Sequence, residues 1–154
     1  MLALSLLLST LTPASLAETA HPGFYQPQEN AAMDYDDSES RWSFARSAES
    51  EHFLLFWEAG FCENPLNAAP DMLEKAELFY AENVDRLHMA DEPLPGGDKL
   101  QIYLLYTADW VATGAGYDNR IGALWISPAT CQPAGSVIAH EIGHCFQYLT
   151  YCQA

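Results

Sequence analysis

The segment Val137–Phe146 reads VIAHEIGHCF, and apart from His140, Glu141 and His144 every residue in it is uncharged and apolar or small. A helix through it, capped by Ser136 and running from Val137 to about Tyr151, would carry no solvated charged face. It must therefore be buried against a sheet. The chain supplies three short apolar runs to build one: His52–Trp57 (HFLLFW), Lys99–Tyr106 (KLQIYLLY) and Ile121–Ser127 (IGALWIS), the last stopped by Pro128. A second helix is expected to open near Pro70, with Asp71 and Glu74 at its positive end. Leu73, Ala76, Tyr80, Val84 and Leu87 form one apolar stripe at helical spacing. CENPLNAAP and TADWVATGAGYDNR read as loops. The order strand, helix, strand, strand, helix predicts an α+β fold, a small mixed β-sheet packed on a backing helix and a C-terminal helix.

A length of 154 residues suits one folded domain, and the 49% hydrophobic content can build its core. The net charge of −15 comes from 6 basic and 21 acidic side chains. With no cluster of Lys or Arg to displace phosphate counterions, nucleic acid is excluded as a partner. Residues 1–17 (MLALSLLLSTLTPASLA) contain no charge and an apolar run too short to span a bilayer, the pattern of a secretory signal peptide without a basic n-region. Export and an extracellular location are expected, with no membrane span. Residues 18–40 read as an irregular acidic arm in solvent, and 41–154 as the folded unit. Four cysteines, Cys62, Cys131, Cys145 and Cys152, suggest disulfides in an exported chain. On one continuous helix Cys145 and Cys152 would stand about 10 Å apart, beyond disulfide reach. The oligomeric state is not legible.

His140 and His144 lie one turn apart on a helix, so both imidazoles can close on a single metal ion, with Glu141 offset beside them. Zinc lowers the pKa of a bound water to about 7, and a neighbouring glutamate can serve as the general base. Two histidines and a glutamate in so apolar a helix need compensation, because buried unpaired polar groups are costly. A metal supplies it.

HEIGHCFQ resembles the active-site helices of zincin metallopeptidases of the gluzincin type, including mucin-directed peptidases. EHFLLFW, QIYLLYTADW, TGAGYDNRIGALWISPATC and AHEIGHCFQY, across about residues 41–150, also resemble an uncharacterised group of secreted microbial proteins. The first resemblance implies Zn2+ as cofactor, His140 and His144 as ligands, Glu141 as catalytic base, and a peptide or glycoprotein substrate. It also implies an edge strand that pairs with the substrate backbone. Ile121–Ser127 is the expected strand, with Gly122, Ala123, Leu124 and Trp125 as substrate contacts; the position of the glycine-rich loop before it would place Tyr117 or Asp118 at the cleft rim.

A catalytic zinc site needs a third protein ligand. Gln147 and Thr150 replace the Gly and His of the metzincin pattern, and CFQYLTYCQA carries no His, Asp or Glu. The expectation is an incomplete zincin-like N-terminal subdomain, with its C-terminal subdomain and third ligand outside the chain. As third ligands His21, His52 and His88 are poor candidates: an arm residue, a packed strand residue and a polar helix-end residue. Trp110 and Trp125 are read as packing residues before sugar-stacking ones. The rival reading from another class is a secreted glycan- or cell-wall-binding module whose motif is vestigial or holds a structural metal.

Overall fold

The computed structural model describes residues 21–59, 64–90, 97–131 and 134–150, with the backbone alone for 64–68 and 131. The leader expected at residues 1–17 lies outside them. The fold is α+β. Its five-stranded sheet has the order β1-β2-β3-β5-β4, from Ser47–Glu49 (β1), Phe53–Trp57 (β2), Leu100–Leu104 (β3), Ala112–Tyr117 (β4) and Ile121–Ile126 (β5). The central strands β2, β3 and β5 run parallel, while β1 and β4 pair antiparallel at the two edges. Helix α1 spans Asn64–Ala81, α2 is the single turn Pro128–Cys131, and α3 spans Ser136–Leu149. Among the described residues no helix is long and apolar enough to cross a membrane.

The three apolar runs are the three parallel strands. Every residue of β2 and β3 is buried, and all of β5 except the half-buried Trp125. Such unbroken runs belong to strands covered on both faces. On one face Phe53, Leu55, Leu100, Ile102, Leu124 and Ile126 pack against Met72, Leu73, Ala76 and Tyr80 of α1 and Ile138, Ile142, Cys145 and Phe146 of α3.

The N-terminal arm covers the other face, which corrects the expectation of a solvated arm. Phe24, Met33 and Tyr35 of the arm, with Trp42 and Phe44 just after it, pack on Leu54, Phe56, Tyr103 and Ala123. Tyr35 and Trp42 are 4% and 3% exposed. Burial raises the pKa of the Tyr103 phenol, and its hydroxyl donates to Gln101 Oε1 at 2.5 Å while Tyr35 Oη lies 3.0 Å away. Gln101 in turn donates to the Tyr25 carbonyl at 2.6 Å, tying the arm to β3. The arm's prolines and acids are local signals and carry no trace of this packing. The face the arm covers exists only once β2, β3 and β5 have paired.

Two helix starts also differ from expectation. α1 begins at Asn64, so CENPLNAAP is not wholly a loop and Pro70 sits inside the helix. There Pro70 has no N–H for the carbonyl of Leu66. Burial of Ala69, Met72 and Leu73 outweighs that loss, as tertiary packing often outweighs propensity. After Ala81 the chain widens into a π-turn, Glu82–Arg86, closed by Leu87 N–H to Glu82 O at 2.9 Å. The wider turn breaks the stripe's phase, leaving Leu87 57% exposed. In α3, Gly135 holds the N-cap position and Ser136 is the first helical residue, so Ser136 is not the cap.

The glycine-rich segment read as a loop contains β4. Tyr117 and Ile121 are paired across its hairpin, and Asp118 and Asn119 take positive φ of 54° and 52° at the turn. Gly114 and Gly116 alternate along β4 and face α3. A Cβ on Gly114 would collide with the backbone carbonyl of Glu141, and one on Gly116 would lie 2.6 Å from Tyr148 Cβ. On β5, a Cβ on Gly122 would lie 2.5 Å from Cys145 Cβ. These three glycines let α3 settle directly onto the strand backbones.

Two substitutions should move stability in opposite directions. Gly122→Ala overpacks the α3–β5 contact and should cost about 1–3 kcal/mol. Gly143→Ala, on the open side of α3 with no atom within 4 Å of its new Cβ, should gain up to about 1 kcal/mol from helix propensity. Urea unfolding of the two variants checks both signs.

Candidate metal centre

The motif lies in the middle of α3, and the helix divides its three polar side chains between two environments. His140 and His144 project together from its outer side. Their Nε2 atoms are 3.0 Å apart and their rings meet edge-to-face. Two imidazoles on a tetrahedral zinc, with Zn–N of about 2.0–2.1 Å, would hold these nitrogens about 3.3 Å apart. The observed pair is close to that geometry. His144 Nδ1 also contacts Gln147 Oε1 at 2.9 Å.

Glu141 points round the helix from the histidines. It is only 6% exposed, and among the described residues its carboxylate has no hydrogen-bond or ion-pair partner. Its backbone carbonyl is the group against which Gly114 of β4 packs. The three residues therefore combine a converging imidazole pair with a glutamate that is only 6% exposed and whose carboxylate has no hydrogen-bond partner among the described residues.

The histidines line a groove of about 310 Å³ between α3 and the end of α1. Phe79, Leu87 and Met89 form its apolar wall, and Glu82 and Asn83 of the π-turn face the histidines across it. Glu82 Oε1 accepts from Arg86 at 2.6 Å, and the Asn83 amide donates to Phe79 O at 2.7 Å. Among the described residues no group of three or more His, Cys, Asp or Glu side chains could hold a metal together. The described residues therefore bring together two histidines and no third ligating side chain.

None of the remaining histidines joins His140 and His144 in a metal-binding group among the described residues. His52 Nδ1 pairs with Glu77 Oε2 at 2.7 Å, and its ring stacks on Tyr80 with 3.9 Å between centroids. Burial alone would raise the Glu77 carboxyl, but hydrogen bonds from the His52 backbone and ring outweigh it and the pKa is lowered. His21 stacks on Phe44, and the exposed His88 adopts a φ of 50°.

The expected substrate strand needs correction. β5 is paired on both sides, with β3 and with β4, so its backbone is not available to another strand. The edge next to α3 is β4. Gly122 and Leu124 face the helix layer, whereas Ala123 and Trp125 belong to the arm-covered face, as does Tyr117. Tyr117 and Trp125 meet edge-to-face, and Trp125 stacks on Tyr103. These five residues are therefore not gathered around His140 and His144. The alternating glycines of ATGAGY are the sequence signal for this edge, since Gly at every second position suits a strand against which another backbone packs. Trp110, expected to be packed, is 66% exposed.

Residues 16–154 match the model of a family of unknown function (DUF6055). The chain belongs to that family. No curated protein and no solved structure matches the chain. The family assignment covers the sheet, the arm and helix α3, and it assigns none of them a role.

Cys145 is a free thiol beneath this helix, fully buried, with Sγ 3.5 Å from the Ala123 carbonyl. Burial pushes its pKa up to about 12, and thiolate is the reactive form. It forms no disulfide. The side chains of Cys62, Cys131 and Cys152 lie outside those described, and the helix that was to carry Cys152 ends at Leu149. Alkylation at pH 8 should leave Cys145 unmodified in folded protein and label it readily in denaturant, as read by peptide mass mapping.

Proposed function

We propose that this chain carries the zinc-binding and general-base elements of a secreted metallopeptidase. The observation that carries this reading is the convergence of His140 and His144 at 3.0 Å on α3, next to an unpaired Glu141. The fold around them supports it. A mixed sheet with a backing helix presents the motif helix alongside an antiparallel edge strand, the arrangement that the resemblance to zincins implies.

Zinc, when bound, would lower the pKa of a coordinated water and polarise a carbonyl. The protein's own part is positional and acid–base. His140 and His144 offer their Nε2 lone pairs from one helix face. Glu141, offset by one residue, takes the proton of the attacking water on a carboxylate oxygen and passes it to the departing amine nitrogen. With no donor bound to its oxygens among the described residues, the carboxylate can accept that proton without breaking a native contact. The nearly buried position also strengthens its interaction with a nearby positive charge. The outer edge of β4 is the strand available to an extended peptide, beside the backbone of Glu141.

Titration with Zn2+ followed by calorimetry should detect a site that His140→Ala or His144→Ala removes. Each loss should exceed the roughly 10–100-fold typical of a missing supporting partner. In a longer protein that also supplies the third ligand, Glu141→Gln should retain zinc while lowering peptide hydrolysis by about 10²–10⁴-fold; the 154 residues alone should bind zinc weakly and hydrolyse nothing. Protein that remains free of zinc when supplied with it would refute this function.

A further inference from the structure

Gln147 follows His144 by three residues, so the two side chains share one face of α3. The 2.9 Å contact joins His144 Nδ1 to the amide oxygen of Gln147. An amide oxygen only accepts, so the ring nitrogen donates. A neutral imidazole has a single N–H. With that proton on Nδ1, Nε2 of His144 presents a lone pair to the groove. It faces His140 Nε2 at 3.0 Å, so the N–H in that contact belongs to His140.

The two histidines are thus not equivalent. His144 is held from behind by Gln147, whereas the outer nitrogen of His140 has no partner among the described residues. We propose that Gln147 is a positioning residue, which fixes the tautomer and ring angle of His144 so that its Nε2 is preset to ligate a metal. The inference rests on the zinc reading above and deepens it. His144 would bind a cation without moving a proton. His140 would shift its proton from Nε2 to Nδ1 as its Nε2 pair is donated, with no net release. Partners on the far nitrogen of a metal-bound histidine commonly play this part, and here the same helix supplies one.

Gln147 is exposed and outside the core, so its replacement should leave the fold intact. Gln147→Leu removes the acceptor, and Gln147→Glu keeps one. Two measurements decide the matter. In metal-free protein, long-range ¹H–¹⁵N NMR should find the His144 proton on Nδ1 in the native chain and in Gln147→Glu, with a shift toward Nε2 in Gln147→Leu. In zinc titrations Gln147→Leu should bind roughly tenfold more weakly, and Gln147→Glu should recover the affinity. A His144 proton on Nε2 in the native chain, or equal zinc affinity in all three proteins, overturns the proposal. If the native chain takes up no zinc, the zinc reading itself fails, while the metal-free spectra still decide whether Gln147 sets the tautomer.

Discussion

The contact between α3 and the glycine track of β4 and β5 sets the geometry of everything around it. A helix normally rests on a layer of side chains. Here Gly114, Gly116 and Gly122 remove that layer, and the backbone of Glu141, Cβ of Tyr148 and the side chain of Cys145 occupy the space. Close seating fixes the rotation of the helix. Ile138, Ile142, Cys145 and Phe146 enter the core, Glu141 comes against the sheet edge, and His140 and His144 remain on the open side. A helix held at ordinary distance by larger residues would have no such tie between its motif and the edge strand.

That seating depends on a sheet rigid enough to bear it. Its three parallel strands are buried on both faces, one by the helices and the other by the arm. The aromatic set of Phe24, Tyr35, Phe44 and Phe56 closes the second face, with ring centroids 4.8–6.1 Å apart. Tyr25 and Gln28 fasten the arm to the β4–β5 turn through Asp118 Oδ2, at 2.9 and 3.0 Å. Arg120 lies over the Tyr25 ring at 4.3 Å and pairs with Asp98 at 2.5 Å. The arm therefore braces the same hairpin on which α3 rests from the other side.

Apolar side chains decide which segments become strands and helices, so β2, β3, β5 and α3 could be read along the chain. The motif could be read too, because four-residue spacing on a helix brings His140 and His144 together whatever surrounds them. The misreadings arose where the deciding partner is distant in sequence. β4 looks like a loop until β5 is beside it, since glycine weakens an isolated strand and favours one only where a backbone must come close. The arm looks solvated until there is an uncovered sheet face for it. Pro70 looks like a helix start until the packing of α1 outweighs its missing hydrogen bond.

The sequence by itself determined the three apolar strands and the motif helix, the pair of imidazoles and the glutamate beside them, because each depends on periodicity within one segment. Only the tertiary structure decided which strand is the edge, that Glu141 is largely buried with no hydrogen-bond partner for its carboxylate among the described residues, and that the apolar end of α1 walls the groove before His140 and His144. Those properties depend on the order in which strands pair and on how closely one backbone approaches another. Residue spacing carries no record of either.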